Sequence, residues 1–121
     1  MTNPRRMKTY TGAQGYVYQY YFVGKRHALE TDDNAPATEF IFDVTSDRKT
    51  TFAVSVFLPE SAVRNWNTTH RRALTEAEQY AAAKMRLFQA FDEVENMLNQ
   101  GRRLLVTAEM LDEALSTLGV T

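Results

Sequence analysis

The sequence predicts an α+β protein in which a three-stranded antiparallel meander packs against a long amphipathic helix, with a short helix after the third strand and a helix at the C-terminus. Residues 16–23 are dense in aromatic and β-branched side chains, which is typical of a β-strand. Residues 38–44 and 51–58 alternate apolar and polar side chains around a short polar turn, which is typical of a β-hairpin. Residues 76–99 repeat apolar side chains at the spacing of one helix face.

The first strand presents large side chains in both directions. Because side chains alternate across a strand, its even positions form one aromatic stripe, made of Tyr16, Tyr18, Tyr20 and Phe22. Val17, Gln19, Tyr21 and Val23 point the other way, so both faces are largely apolar. A strand with two apolar faces has to bury both, and one helix covers only one of them. The aromatic stripe is therefore either core beneath the helix or a surface for a partner.

The hairpin indicates which face of the sheet the helix covers. Both of its strands align apolar residues on one side, namely Phe40, Phe42, Val54 and Val56. We expect this side to meet the helix, while Ile41 and Phe57 lie on the opposite face. The long polar connection at residues 24–37 does not dictate how the first strand pairs with the hairpin, so the register of that strand stays open.

Capping signals mark the limits of the long helix. Thr75 and Glu78 have the spacing of a capping box, in which each side chain accepts a hydrogen bond from the backbone N–H of the other residue. Gly101 offers a left-handed stop shortly after residue 99. This helix is the most clearly delimited element of the sequence.

Two shorter helices are expected on either side of the long one. Pro59 is placed to be the first residue of a short helix after the third strand, and residues 67–74 form a linker. Residues 102–106 are a short strand or an extended link, after which Thr107 caps a C-terminal helix.

The composition is that of one folded domain spanning residues 1–121. A chain of this length, 44% hydrophobic, builds one hydrophobic core. Residues 1–10 are expected to form a flexible leader, and polar residues follow its basic start where a signal peptide would be apolar. The sequence lacks the apolar run of about 20 residues that spans a membrane, and it has no cysteine. Both features favour a cytoplasmic protein without a membrane partner.

Arginine pairs flank the long helix and suggest an anion-binding or nucleic-acid-binding surface. Arg71 and Arg72 precede the helix, while Arg102 and Arg103 follow it. Fourteen basic residues stand against fifteen acidic ones, so nucleic-acid binding would need these pairs to form a local basic patch. The alternative is that the arginines only solubilise the helix ends.

No motif for catalysis, a metal or a cofactor is present. His27 lies near Glu30, Asp32 and Asp33, but their spacing matches no set of metal ligands, and a solvated acidic loop explains them as well. The sequence contains no phosphate-binding loop, nucleophile elbow or dinucleotide fingerprint. We therefore predict no catalytic residue, metal ligand or cofactor.

Three functions remain as hypotheses, in order of preference. The first is a small cytoplasmic, non-enzymatic interaction or accessory protein of bacterial or phage style that forms a homodimer, with a surface comprising Tyr16, Tyr18, Tyr20 and Phe57. The second is a nucleic-acid-binding accessory protein, which would use Arg71, Arg72, Arg102 and Arg103 together with exposed tyrosines. The third is an enzyme acting on a small ligand.

Overall fold

The computed structural model describes residues 6–29 and 34–121, which form one five-stranded sheet and four helices. The strands are β1 (Lys8–Thr11), β2 (Val17–Leu29), β3 (Pro36–Thr45), β4 (Phe52–Pro59) and β5 (Arg103–Leu105). The helices are α1 (Glu60–His70), α2 (Glu76–Glu93), α3 (Met97–Gln100) and α4 (Ala108–Thr117). The α+β class is as predicted, whereas the three-stranded meander is corrected to a sheet of five strands.

The strands lie in the sheet in the order of the sequence. β1 to β4 form an antiparallel meander, and β5 joins the far edge parallel to β4. A parallel neighbour requires a crossover connection, which α1, α2 and α3 provide. The region after Gly101, predicted as a short strand or an extended link, therefore closes the sheet as β5.

β1 was not expected, because residues 8–10 were assigned to a flexible leader. The end of α2 holds this strand in place. The Tyr10 hydroxyl donates to the Asp92 carboxylate at 3.0 Å, and the backbone N–H of Ala13 donates to the same carboxylate at 2.8 Å. Gly12 runs so close to α2 that a Cβ there would lie 2.7 Å from the carbonyl oxygen of Phe91. Residues 1–5 of the predicted leader lie outside the described residues.

β2 and β3 extend into the segment predicted as a long polar connection. Their ladder runs from Gln19 opposite Thr45 to Leu29 opposite Pro36. The register shifts between Phe22 and Gly24, where one extra residue forms a β-bulge. Polar residues in this stretch indicated a loop, but main-chain pairing does not depend on apolar side chains when one face of a strand is open to solvent.

The β3–β4 hairpin forms as predicted, and its turn is built around one carboxylate. Asp47 Oδ1 accepts hydrogen bonds from the backbone N–H groups of Lys49 and Thr50, both at 2.8 Å. The Thr45 hydroxyl accepts from the backbone N–H of Arg48, which adopts a left-handed conformation with φ 64°. Short polar side chains that bond to nearby backbone groups stabilise turns of this kind.

The core lies between one face of the sheet and the helices. As predicted, the hairpin residues that face α2 are fully buried, and so is Phe91 on the helix. The two middle residues of the aromatic stripe join them, because Tyr20 pairs with Val44 and the stripe therefore shares the face of Phe42. The exposed fractions of Tyr18 and Tyr20 are only 2% and 5%. The register thus assigns this part of the stripe to the core.

α2 begins with the predicted capping box but ends earlier than expected, at Glu93. Val94 is extended, with φ −95° and ψ 117°, and Asn96 then caps α3 by accepting from the backbone N–H of Asn99. A short polar side chain that competes for backbone donors favours such a break. Gly101 has φ −119°, so the predicted left-handed stop is wrong. A Cβ at Gly101 would instead overlap the Met97 thioether.

The shorter helices differ from prediction in small ways. Pro59 is the N-cap of α1 rather than its first residue. α1 continues to His70, which shortens the linker expected at residues 67–74. The Thr107 side chain accepts from the backbone N–H of Met110 and caps α4, as predicted.

All buried residues of α1, α2 and α4 belong to the same core cluster, so these helices lie on one side of the sheet. α4 packs against α1 and α2 rather than across the sheet. Within the described ranges, no helix combines the length and the hydrophobicity of a membrane span. The helical layer therefore covers one face of the sheet, and no described helix packs on the other face.

Acid should weaken the start of α2. Arg72 donates to both oxygens of Glu78, at 3.0 and 2.9 Å, and the backbone N–H of Thr75 donates to Glu78 Oε1 at 2.9 Å. These bonds, led by that from Arg72, lower the pKa of Glu78 from 4.5 to about 2. A carboxylate with a depressed folded-state pKa stabilises the fold above its unfolded pKa and loses that effect as the pH falls.

We therefore expect Glu78→Gln to flatten the pH dependence of stability between pH 4.5 and about 2. The measurement is the urea midpoint at neutral pH and at a pH inside that range. Glu95→Gln, in an exposed connection, is the matched control and should keep the pH dependence of the parent protein. An equal acid response in the parent and Glu78→Gln proteins would contradict the role of this carboxylate.

Candidate functional site: the open face of the sheet

Within the described residues, no helix packs against the face of the sheet opposite α1, α2 and α4. We call this face the open face. Its central residues, taken from the strand registers and the alternation of side chains, are Gln19, Tyr21, Arg26, Glu39, Ile41, Asp43, Ala53, Ser55, Phe57 and Arg103. Val17 at the start of β2 and Val23 at the bulge are 46% and 49% exposed. The open face thus combines apolar and polar side chains.

Glu39 is the centre of a hydrogen-bonded cluster on this face. Its carboxylate accepts from Arg26 Nε at 2.9 Å and from the Ser55 hydroxyl at 2.6 Å. The register brings the three residues together, because Arg26 lies opposite Glu39 on β2 and Ser55 is on β4. Only 8% of the Glu39 side chain is exposed, whereas 68% of the Arg26 side chain is.

The surroundings keep Glu39 ionised. Burial by itself would raise the pKa of this carboxyl group. Two effects outweigh burial: the hydrogen bonds from Arg26 and Ser55, and the positive charges of Arg26 and Arg103. The pKa of Glu39 is therefore lower than its ordinary value. The cluster therefore places a fixed negative charge beside two exposed guanidinium groups.

Phe57 lies on the open face, as the sequence predicted, but it is covered. Its ring is 4% exposed, and the Arg103 guanidinium lies over it at 4.7 Å from the ring centroid. A cation over an aromatic face is an attractive contact. A partner bound to the open face would therefore contact the Arg103 guanidinium and not the Phe57 ring beneath it.

The predicted tyrosine surface is corrected by the structure. Tyr18 and Tyr20 point into the core, where the Tyr18 ring stacks on Phe91 at a centroid distance of 4.2 Å. Tyr16 is 50% exposed, but it precedes β2 instead of belonging to the sheet. The aromatic residue that β2 contributes to the open face is Tyr21, because its pairing with Asp43 places it opposite the core.

The four predicted arginines do not form one patch. Arg71 is the left-handed C-cap of α1, and Arg72 is bonded to Glu78 and to the carbonyl oxygen of Thr121 on the helical side. Arg102 donates to the carbonyl oxygen of Ala53 at 3.0 Å, at the start of β5. Of the four predicted arginines, the sheet register thus places Arg103 on the open face, which it shares with Arg26.

The loop hypothesis around His27 receives little support. Glu30, Asp32 and Asp33 lie outside the described residues. His27 is 93% exposed, and its Nδ1 is 3.9 Å from Glu60. No group of three candidate metal ligands occurs in the described part of the chain.

Sequence reasoning missed the cluster of Arg26, Glu39 and Ser55. Arg26 falls in the predicted polar connection, and the alternation of the second strand places Glu39 on the face opposite Phe40 without indicating a partner for it. The sequence does indicate part of this cluster, because Glu39 and Ser55 lie on the two paired strands of the predicted hairpin. The position of Arg26 required the bulge in β2, which shifts the pairing by one residue.

Comparison with protein-family models, with curated proteins and with solved structures finds no match to this chain. The function is therefore argued from the geometry of the open face.

Proposed function

We propose that this protein is a non-enzymatic interaction module that binds a second copy of itself through the open face. The observation that carries the proposal is that the helices all pack on one side of a five-stranded sheet. A sheet face with exposed valines and a partly exposed Ile41 gains free energy when it is covered. We place this module in the cytoplasm.

The composition of the open face supports a protein partner. Interface cores are rich in tyrosine and arginine and poor in lysine. The open face carries Tyr21, Arg26 and Arg103 but none of the four lysines of the sequence. Lys25 shows the contrast, because it reaches the helical side and its Nζ lies 3.3 Å from Glu76.

A second copy is the partner that fits the charges. The open face holds an ionised Glu39 next to the guanidinium groups of Arg26 and Arg103, so acidic and basic groups occur together. A two-fold axis lays each group against the same surface of the other chain, where opposite charges can meet. A symmetric dimer is also the most common assembly of soluble proteins.

Ile41→Lys and Ala53→Arg should each weaken self-association at least about a hundredfold, because each places a long cation in the middle of a buried interface. Both residues lie on central strands of the open face, and neither is fully buried in the monomer. The measurement is light scattering at tens of micromolar, where the parent protein should have twice the mass of the chain.

Leu98→Lys is the matched control, since Leu98 is 43% exposed on α3. It should leave the dimer intact. A parent protein that stays monomeric, or a dimer that tolerates both open-face substitutions, would refute the proposal.

Nucleic-acid binding is the second candidate, and one observation favours it: Arg26, Arg103 and Tyr21 share the open face. Because Arg71 and Arg72 lie elsewhere, the arginine pairs can be tested separately. If this function holds, the Arg102→Ala/Arg103→Ala variant should lose salt-sensitive retention of single-stranded oligonucleotides. The Arg71→Ala/Arg72→Ala variant should keep it. Absence of retention by the parent protein at low salt would exclude this function.

A further inference from the structure

A cleft of about 190 Å³ lies between α2 and α4, on the side of the molecule away from the open face. Its apolar walls come from Ala82 and Met85 on α2 and from Met110 and Ala114 on α4. Arg86 of α2 also lines the cleft. A concave site with apolar walls and a few placed polar or charged groups is the usual form of a small-molecule site.

Among the described residues, Arg86 is a partly buried cation without a carboxylate partner. Its Nε donates to the carbonyl oxygen of Leu105 at 2.8 Å, and its Nη1 donates weakly to Gln89 Oε1 at 3.4 Å. Both acceptors are neutral. In the described ranges, no carboxylate lies within ion-pair distance of this guanidinium. Burial lowers the pKa of Arg86, although the negative charge of Glu93 opposes the shift.

The geometry around Arg86 suits the binding of an anion. A guanidinium withdrawn from water loses solvation that a bound carboxylate would replace. The bond to Leu105 fixes the orientation of the planar group, so its remaining donors are arranged in advance. A carboxylate matches that planar fork with two parallel hydrogen bonds.

We propose that the cleft between α2 and α4 binds a small monocarboxylic acid, with its carboxylate on Arg86 and its apolar tail between Met85 and Met110. At the ~30 Å³ that one water occupies in the liquid, the cleft holds about six or seven heavy atoms. Methionine walls adapt to tails of different shape. Glu113 also lines the cleft, and its carboxylate repels anions, so a ligand with a second acidic group is disfavoured more than a monocarboxylate held by Arg86.

Pentanoate is a probe of the required size. Titrated into the isotope-labelled protein, it should cause saturable shifts of backbone amide signals in α2 and α4. Pentanamide has the same shape without the charge, and it should bind at least about tenfold more weakly, as expected when a charged hydrogen bond is lost. Pentanedioate should also bind more weakly, because of Glu113.

Arg86→Gln should weaken pentanoate binding at least about tenfold. Lys84→Gln is the matched control, because it removes one positive charge from the same helix at a residue that contacts the Tyr80 ring and does not line the cleft. Ala114→Met provides a second test that keeps Arg86, since its longer side chain fills the cleft and should also abolish binding.

The proposal is overturned if pentanoate gives no saturable shifts with the parent protein, or if pentanamide binds equally well. It is also overturned if the Ala114→Met protein, folded by circular dichroism, still binds pentanoate. Binding is read on α2 and α4, so this result does not depend on whether the open face forms a dimer.

Discussion

Replacing Phe91 with alanine should lower the free energy of unfolding by about 3 kcal/mol or more. The Phe91 side chain is completely buried between the C-terminal part of α2 and the sheet. Its ring stacks on Tyr18 at 4.2 Å with an interplanar angle of 7°, and it lies 5.7 Å from the ring of Tyr10. A cavity at this point cannot close without moving the helix relative to the strands, so the lost contacts are not replaced.

Phe88→Ala is the matched control for Phe91→Ala, because Phe88 is only partly buried on the same helix. Its ring stacks on Tyr10 at 4.4 Å, and we expect a smaller loss of stability. Urea unfolding can be followed by the fluorescence of Trp66, the only tryptophan of the sequence. If both variants lost equal stability, the complete burial of Phe91 would be contradicted.

A loss of similar size, about 3 kcal/mol or more, is expected for Trp66→Ala. Trp66 is 3% exposed and connects α1 to the core. Its ring stacks on His70 at a centroid distance of 4.0 Å, and the Arg72 guanidinium lies 5.0 Å from the ring. His70 in turn lies 3.5 Å from Asp112 of α4. Removing the indole therefore loosens the packing of α1 against α4.

Trp66→Phe should cost much less than Trp66→Ala. Within the described residues, the buried indole N–H has no hydrogen-bond partner. An unsatisfied buried donor destabilises a fold by about 1–3 kcal/mol, and phenylalanine removes that donor while keeping an aromatic ring. The measurement is urea unfolding followed by far-ultraviolet circular dichroism, since both variants lack tryptophan. Equal losses in the two variants would mean that the N–H makes a stabilising contact.

Neither Phe91 nor Trp66 lies on the open face or lines the cleft between α2 and α4. Substitutions there should change self-association and carboxylate binding only through the fraction of folded protein. The open-face and cleft variants, in contrast, should change binding while the core stays intact. The three sets of variants therefore separate stability from the two proposed interactions.

The features that sequence analysis predicted correctly depend on nearby residues. The capping box joins Thr75 to Glu78, three positions away, and the Thr107 cap is equally local. The β3–β4 hairpin follows from alternation within each strand and from a turn built on Asp47. Such patterns can be read from the chain because the interacting groups lie within a few residues of each other.

The features that it missed depend on residues far apart. β1 is held by Asp92, whose hydrogen bond to Tyr10 spans 82 positions. The surroundings of Arg86 are formed by Leu105 and α4, which lie next to it only in the folded chain. Neither arrangement leaves a pattern in the sequence near the residue concerned, because the partners come from elements that pack together only in the folded state.

The α+β class, the side of the hairpin that faces α2, and the N-terminal caps of α2 and α4 follow from the sequence alone. Which face of β2 is core does not. Alternation shows that Tyr20 and Tyr21 point in opposite directions, but not which of them points towards the helix. That choice depends on the pairing of Tyr20 with Val44 and on the bulge after Phe22, which align Arg26 with Glu39. Because side chains alternate with a period of two residues, a shift of one residue in this register would have exchanged the two faces.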